Sequence, residues 1–240
     1  MAFIHGKSAI VLNNEFNLST YFNDISISRS VETAETTAFG ASAKAYIVGI
    51  SDGTISLGGM FDGAANAIDA EITDMIGSTS GVVSISASGV TTIGTRMVSA
   101  TGIITSYEVS APVGDVVSAS AEFQVDDGVG NAMSLAALAA ITTTTTGTSV
   151  DNAASSANGG FATLHVTANT MNGATVCKVQ HSADNSTWAD LQTFASVPAT
   201  TITAERLKVA NGTTVNRYLR AVATAAGAGS FTYHINFARQ

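Results

Sequence analysis

Strict alternation between residues 51 and 61 is the feature that most constrains the fold of this chain. The apolar side chains fall on one face and the remaining ones on the other: Ile55, Leu57 and Phe61 against Thr54, Ser56 and Met60. A period of two is typical of a β-strand with one buried face. Asp52-Gly53 is a common turn pair, so we expect a turn to begin this strand. The chain therefore needs a sheet with a core on one side.

A helix is predicted directly after this strand, over residues 64–76. Its apolar residues Ile68, Ile72, Met75 and Ile76 have the spacing of one helical face. Asp62 is the expected N-cap and Gly77 the expected residue just after the C-terminus. This helix is expected to pack its apolar face on the sheet.

The rest of the chain predicts short strands, and its richness in Thr, Ser, Gly, Ala and Val favours a mainly β fold. Residues 132–141 fit either a short helix or a closing strand. From residue 148 onward, alternating strands recur at the spacing of a β-sandwich. We predict a domain at 1–141, a β-sandwich or barrel-forming fold with one packed helix, followed by an all-β sandwich domain at 142–240.

Charge is distributed unevenly along the sequence. Residues 1–140 contain fourteen acids and four bases, whereas residues 141–240 contain four acids and six bases. An acidic first half argues against nucleic-acid binding there and fits a surface that repels nucleic acid, although acidic residues also serve solubility alone. The sequence shows no secretory signal and no membrane-length apolar run, so a protein made and folded in a cytoplasm is expected.

The sequence offers no convincing catalytic, metal or cofactor site. Gly6-Lys7-Ser8 lacks the earlier glycine of a phosphate-binding loop. His165 and His234 are predicted on outward strand faces, exposed to solvent, and the single cysteine, Cys177, on a buried face. The chain is expected not to be an enzyme.

Trp188 follows a turn that contains Asp184 and Asn185. An aromatic ring beside a loop can stack on a sugar, so these three residues are candidates for glycan contact. A core tryptophan is the alternative, and the sequence favours it.

Two stretches carry a family resemblance: TAFGASAKAYIVGISDGTISLGGMFDG at 37–63 and ITSYEVSAPVGDVVSASAEFQV at 104–125. Together they resemble the tail tube protein (major tail protein) of lambda-like siphophages, which have long, non-contractile tails, over about residues 1–140. The stretches VQHSADNSTWADL and NRYLRAVA are similar to immunoglobulin-like or carbohydrate-binding-like sandwich modules appended to phage tail proteins.

The resemblance implies a virion subunit that forms hexameric rings stacked into a hollow tube, assembled with tail-tip initiator, tape-measure and tail-terminator proteins. Viral DNA would pass through the lumen without specific binding, and the C-terminal domain would lie outside, available to host surface glycans. A loop over residues 39–50 would join rings, and glutamates would line the lumen. The implied contact residues are Phe39, Ala43, Lys44, Tyr46, Ile47 and Ile50, and the implied lumen residues are Glu32, Glu108 and Glu122. The alternative function is a bacterial or phage surface adhesin that binds glycans.

Overall fold

The computed structural model describes residues 6–40, 42–65, 67–77, 81–89 and 92–240. Its elements confirm a mainly β fold with two antiparallel sheets and one α-helix among the described residues. The strands are β1 (Ile10–Asn13), β2 (Phe16–Asn17), β3 (Phe22–Glu35), β4 (Tyr46–Met60), β5 (Gly81–Ser86), β6 (Arg96–Ser110), β7 (Ser118–Ile141), β8 (Thr145–Thr146), β9 (Val150–Asp151), β10 (Gly160–Asn169), β11 (Thr175–Ser182), β12 (Ala189–Thr193), β13 (Thr203–Val209), β14 (Tyr218–Ala225) and β15 (Phe231–Arg239). The helix α1 is Ile68–Met75.

Two compact units divide the chain, and neither is a single continuous stretch. The hairpin unit comprises residues 20–81 and 100–129, and the sandwich unit comprises residues 1–19, 82–99 and 130–240. Residues 130–141 thus group with the C-terminal residues, because the second half of β7 pairs with β15. The predicted domain boundary at Ile141 stays a prediction. The two compact units divide the chain at other positions, and the division nearest to Ile141 lies between residues 129 and 130.

The hairpin unit contains the sheet order β3-β4-β7-β6. Ile55 and Leu57 of β4 and Phe123 of β7 are buried, which confirms the predicted alternation. The prediction of a turn at Asp52-Gly53 is wrong. Both residues lie inside β4, where Asp52 pairs with Ser30 and the ladder with β3 continues on either side.

Helix α1 begins later than its sequence pattern predicts. Its N-cap is Ala67, without a side-chain cap, and Asp62 instead accepts a hydrogen bond from the backbone N–H of Ala64 at 2.9 Å. Ile68 and Ile72 are buried, as the apolar spacing predicts. Gly77 follows the C-cap with φ of +72°, a left-handed conformation that glycine adopts without strain, as expected for a helix end.

The sandwich unit encloses its core between two sheets. One contains β13-β10-β15-β7, continuing through β6, β5, β1 and β2, and the other contains β12-β11-β14-β8 with β9 paired to β14. Leu135, Leu164, Phe194 and Phe231 are among its fully buried side chains. Residues 132–141 are the closing strand of the two alternatives that the sequence allows.

The prediction that His165 and His234 are exposed is wrong. Both are fully buried, because the face of β10 and β15 that carries them is covered by other elements of the same unit. His165 Nδ1 lies 2.6 Å from the carbonyl oxygen of Asn14, and its Nε2 lies 2.7 Å from Ser84 Oγ. Alternation places both histidines on the faces of their strands that point away from the sandwich core. It does not show that other segments of the chain cover those faces. Cys177 is buried as predicted, and burial raises the pKa of its thiol to about 12.

Candidate assembly surfaces

A long β-hairpin, residues 31–51 at the outer ends of β3 and β4, is the most exposed part of the hairpin unit, and we call it the arm. Val31 pairs with Ser51, Thr33 with Val48 and Glu35 with Tyr46. Every described residue of the arm is exposed. A two-stranded ribbon without a covering layer is at best marginally stable in water. We therefore expect the arm to be stabilised by contact with another chain.

The loop at the arm's tip is shorter than the predicted 39–50. Its described residues are 36–40 and 42–45, and a hydrogen bond from Thr36 N to Ala45 O at 2.8 Å closes it. Lys44 Nζ donates to Glu35 Oε2 at 2.9 Å, and this lysine holds the pKa of Glu35 below its usual value. Phe39, Ala43 and Lys44 lie in the loop as predicted. The loop assignment of Tyr46, Ile47 and Ile50 is wrong, because β4 begins at Tyr46 and continues the ladder.

Large apolar side chains are exposed along the arm. Phe39 is fully exposed, Val48 is 79% exposed and Ile50 is 76% exposed. The remaining members of this set are Val31, Tyr46 and Ile47. Each side chain of this kind gains roughly 1.5–3 kcal/mol when it is buried completely. Covering the arm is thus a substantial driving force for association.

A bulge distributes these apolar side chains over both faces of the arm. Val31 opposes Ser51 but Thr33 opposes Val48, so β4 has an extra residue here. Because cross-strand partners share a face, Val48 lies on the same face as Val31, and Ile47, which pairs with Ala34, lies on the other. A partner has to cover both faces to bury the whole set.

The sheet of the hairpin unit has a polar face opposite its core. Cross-strand rows run over three strands, with Ser26 beside Ser56 and Ser56 beside Glu122 in one row. In the next row Thr54 lies beside Gln124, whose Nε2 donates to Asp52 Oδ1 at 2.6 Å. Small hydroxyl side chains make this face smooth, and carboxylates recur along it.

The charge of this polar face is of one sign. By alternation along β3, β4 and β7, its ionisable residues are all acids: Asp24, Glu32, Asp52, Glu122 and Asp126. The unit's two bases lie elsewhere, since Arg29 pairs with buried Gly53 on the opposite face and Lys44 lies in the arm loop. Glu32 and Glu122 thus share one face, and Glu108 is exposed near the end of β6. Their place in a lumen stays a prediction.

A second exposed apolar group lies at the other end of the same sheet, and sequence reasoning missed it. We define the loop-end patch as Met60, Val109, Val113 and Val116. Met60 pairs with Ser118, and Phe61 N donates to Val117 O at 3.0 Å, which places the end of β4 beside the loop 111–117. Val113 is fully exposed and Val116 is 64% exposed. Valines in a turn around Gly114 were the available signal, because turns usually contain polar residues.

Trp188 is not a core residue, and its ring is not fully available for stacking on a sugar. It is half-buried on the sandwich unit, and the guanidinium carbon of Arg220 lies 4.0 Å from its ring centroid. Arg220 Nε in turn donates to Gln180 Oε1 at 2.9 Å, and Gln180 Nε2 donates to Asp190 Oδ1 at 2.7 Å. The cation–π contact occupies one face of the indole, which a sugar would otherwise use.

Asp184 and Asn185 have a structural role in the turn before Trp188. Asp184 Oδ1 accepts from the backbone N–H groups of Ser186 and Thr187 at 2.9 and 2.8 Å. These hydrogen bonds hold the pKa of Asp184 well below its usual value. Asn185 has φ of +61°, a left-handed conformation that asparagine tolerates. Glycan contact by these residues stays a prediction.

Among the described residues, no three or more His, Cys, Asp or Glu side chains are grouped so that they could hold a metal ion. Within the same ranges, no helix has the length and apolarity to cross a membrane.

No protein-family model matches the sequence, and no curated protein matches it significantly. Among solved structures, a chain from the virion of a native gene transfer agent particle covers 53% of this chain and 97% of its own, at 16% identity and a TM-score of 0.41. A chain of the PVC sheath–tube complex, an extracellular contractile injection system, covers 53% and 89% at 20% identity and a TM-score of 0.42.

The SPP1 Dit protein, a hub adsorption apparatus protein of phages that infect Gram-positive bacteria, covers 96% and 98% at 12% identity and a TM-score of 0.37. All three TM-scores are below 0.5, so these likenesses are distant and assign no role to this chain.

Proposed function

We propose that this chain is a structural, non-enzymatic subunit of a bacteriophage tail tube, which assembles as stacked rings in the virion. The observation that supports this most is the arm. Its apolar side chains are exposed on both faces and no element of the hairpin unit covers them. Such a projecting ribbon is suited to a joint between subunits, where a partner buries it.

Ring formation would use the edges of the hairpin unit's sheet. Among the described strands, β3 pairs only with β4, so a strand of fourteen residues has one open edge. An open edge of this length pairs readily with another strand. Pairing between copies in a hexameric ring would extend the sheet into a closed inner barrel, while stacking along the axis stays open and produces a tube.

The acidic polar face would line the lumen. Phosphate groups are repelled by carboxylates, and binding to DNA depends on bases that this face lacks. Glu32 and Glu122, which lie on this face, would therefore keep viral DNA from adsorbing as it passes, and Glu108, exposed near the end of β6, would add to the negative charge of the lumen. Residues 142–240 would lie outside the tube and contact the host surface, and tail-tip initiator, tape-measure and terminator proteins would complete the assembly.

Electron microscopy of the purified full chain over a range of concentrations tests this proposal. We expect rings or tubes at high concentration, with a central channel. Analytical ultracentrifugation should show a monomer at low concentration that converts to large species. A chain that stays monomeric at every concentration, with and without a tail-tip complex as nucleus, would overturn the proposal.

Surface adhesion through glycans is the second candidate, because part of the Trp188 side chain stays exposed although Arg220 covers one face of its ring. Screening the chain and a Trp188→Ala variant on a glycan array separates the two functions. An adhesin would be supported if the unchanged chain binds a glycan and does not assemble, and if the Trp188→Ala variant no longer binds that glycan. Arg220→Met is the informative companion variant, because it removes the cation from the ring and leaves the indole in place.

A further inference from the structure

We infer that the arm of one copy docks on the loop-end patch of the next copy. This inference rests on the proposed function and adds the surface that receives the arm. The patch consists of Met60, Val109, Val113 and Val116, all exposed.

The arm and the patch lie at opposite ends of the same strands. β4 leaves the arm loop at Tyr46 and ends at Met60, and Met60 pairs with Ser118 at the start of β7. Fifteen residues of extended chain span roughly 45 Å at 3.3 Å per residue. One end of the sheet therefore presents the arm and the other end presents the patch.

If each copy is displaced along the strand direction from the copy before it, every arm meets a loop-end patch. One kind of contact then buries both apolar surfaces. A contact between unlike surfaces is heterologous, so it leaves a free arm at one end and a free patch at the other after every addition. This geometry produces growth along the strand direction. A contact of arm with arm would instead close as a dimer and leave the patch exposed.

Charge supports the same pairing. Lys44 is one of the hairpin unit's two bases, and its side chain in the arm loop is 66% exposed although it contacts Glu35. Acids border the patch, with Asp115 between Val113 and Val116, and Glu108 beside Val109. Opposite charges on approaching surfaces orient the encounter.

The described part of the sandwich unit offers no comparable surface for the arm. Of the large apolar side chains that are exposed among the described residues, only Ile202 belongs to this unit, and it is 36% exposed. All the others lie in the hairpin unit. An apolar arm thus gains most from the hairpin unit of another copy.

Disulfide cross-linking between two variants tests the inference. Phe39→Cys and Val113→Cys are prepared separately, mixed under assembly conditions and oxidised. We expect a linked pair in the mixture, with far less in either variant alone. Ile202→Cys mixed with Phe39→Cys is the matched control and should not cross-link. Cys177 is fully buried and should not compete.

The outcomes separate this inference from the proposed function. If tubes form without the Phe39–Val113 cross-link, or if Phe39→Cys links chiefly to itself, the inference is overturned and the proposed tail-tube function still stands. Neither tubes nor cross-link would overturn both. Lys44→Glu and Asp115→Lys supply a second readout: each alone should slow assembly several-fold, because like charges then meet at the contact. The chain that carries both changes should recover most of the rate, since opposite charges meet again, and no recovery would contradict the inference.

Discussion

His165 and His234 stack inside the sandwich unit with ring centroids 6.4 Å apart and an angle of 25° between their planes. Both are fully buried, and their contacts are neutral: the Asn14 carbonyl and Ser84 hydroxyl for His165, and the Met97 sulfur for His234. Burial lowers the pKa of His165 to about 4 and that of His234 to about 3. The pair is therefore neutral at pH 7, and protonating either ring places a charge in an unpaired setting.

The first prediction is a loss of stability in mild acid. The unfolded histidines bind protons near pH 6.5 and the folded ones do so only near pH 4 and 3, so the stability is complete above pH 6.5 and falls between pH 6.5 and about 3. The slope should approach about 1.4 kcal/mol per pH unit for each histidine. Urea unfolding at pH 7, 6, 5 and 4 measures it.

The control for this prediction is His181→Gln, because His181 lies outside the stacked pair and is only partly buried. It should leave most of the pH dependence in place. His165→Gln should reduce the slope relative to the unchanged protein. An identical slope in both variants would contradict the assignment to the buried pair.

The arm should be needed for assembly but not for folding. In Phe39→Ala/Tyr46→Ala both changes fall on exposed side chains, so the melting temperature should change little. Polymerisation should be lost, because the arm then buries less apolar surface in its partner. Sedimentation velocity and electron microscopy follow assembly, and Ile202→Ala is the control, with normal tubes expected. Tubes formed by the double variant would show that the arm is not the joint.

How far the sequence predicts these features depends on the range of the interaction. The alternation in residues 54–57 and the stripe of Ile68 and Ile72 are local, and the structure has them as predicted. The start of β4 at Tyr46 was missed because pairing with β3, not local pattern, makes those residues a strand. The burial of His165 was missed for a similar reason, since the chain segments that cover it are distant in sequence.

The polar face should tolerate a change of charge for assembly but not for DNA passage. Glu122 is exposed and lies in one cross-strand row with Ser56 and Ser26, so tubes of the Glu122→Lys variant should form normally. A base there attracts phosphate, and one per subunit repeats around every ring. DNA release from phage that carry the variant should slow, most strongly at low salt. Asp74→Lys on the exposed surface of α1 is the control, and an equal effect of both variants would argue against a lumen role for Glu122.

Two adjacent glycines of β4 should respond differently to alanine. A Cβ at Gly59 would lie 1.9 Å from the carbonyl oxygen of Tyr21, whereas a Cβ at Gly58 would lie 3.7 Å from Asp24 Cβ, an ordinary contact. Gly59→Ala must shift the backbone of residue 21 and should cost about 1–3 kcal/mol in the free energy of unfolding. Gly58→Ala should be nearly neutral. Chemical denaturation of both variants checks this, and equal midpoints would mean that the backbone at Tyr21 yields easily.

Truncation after Ile141 should prevent the remaining chain from folding normally. The second half of β7 pairs with β15, with Ser134 opposite Asn236 and Ile141 opposite Phe231. Removing residues 142–240 would leave fully buried Leu135 in contact with water and β7 without its neighbour. The fragment 1–141 should aggregate or lack a cooperative unfolding transition, whereas a chain that lacks only Gln240 should behave normally. A fragment that unfolds cooperatively and forms tubes would instead establish a domain boundary at Ile141, because it would show that residues 130–141 are stable without the sandwich.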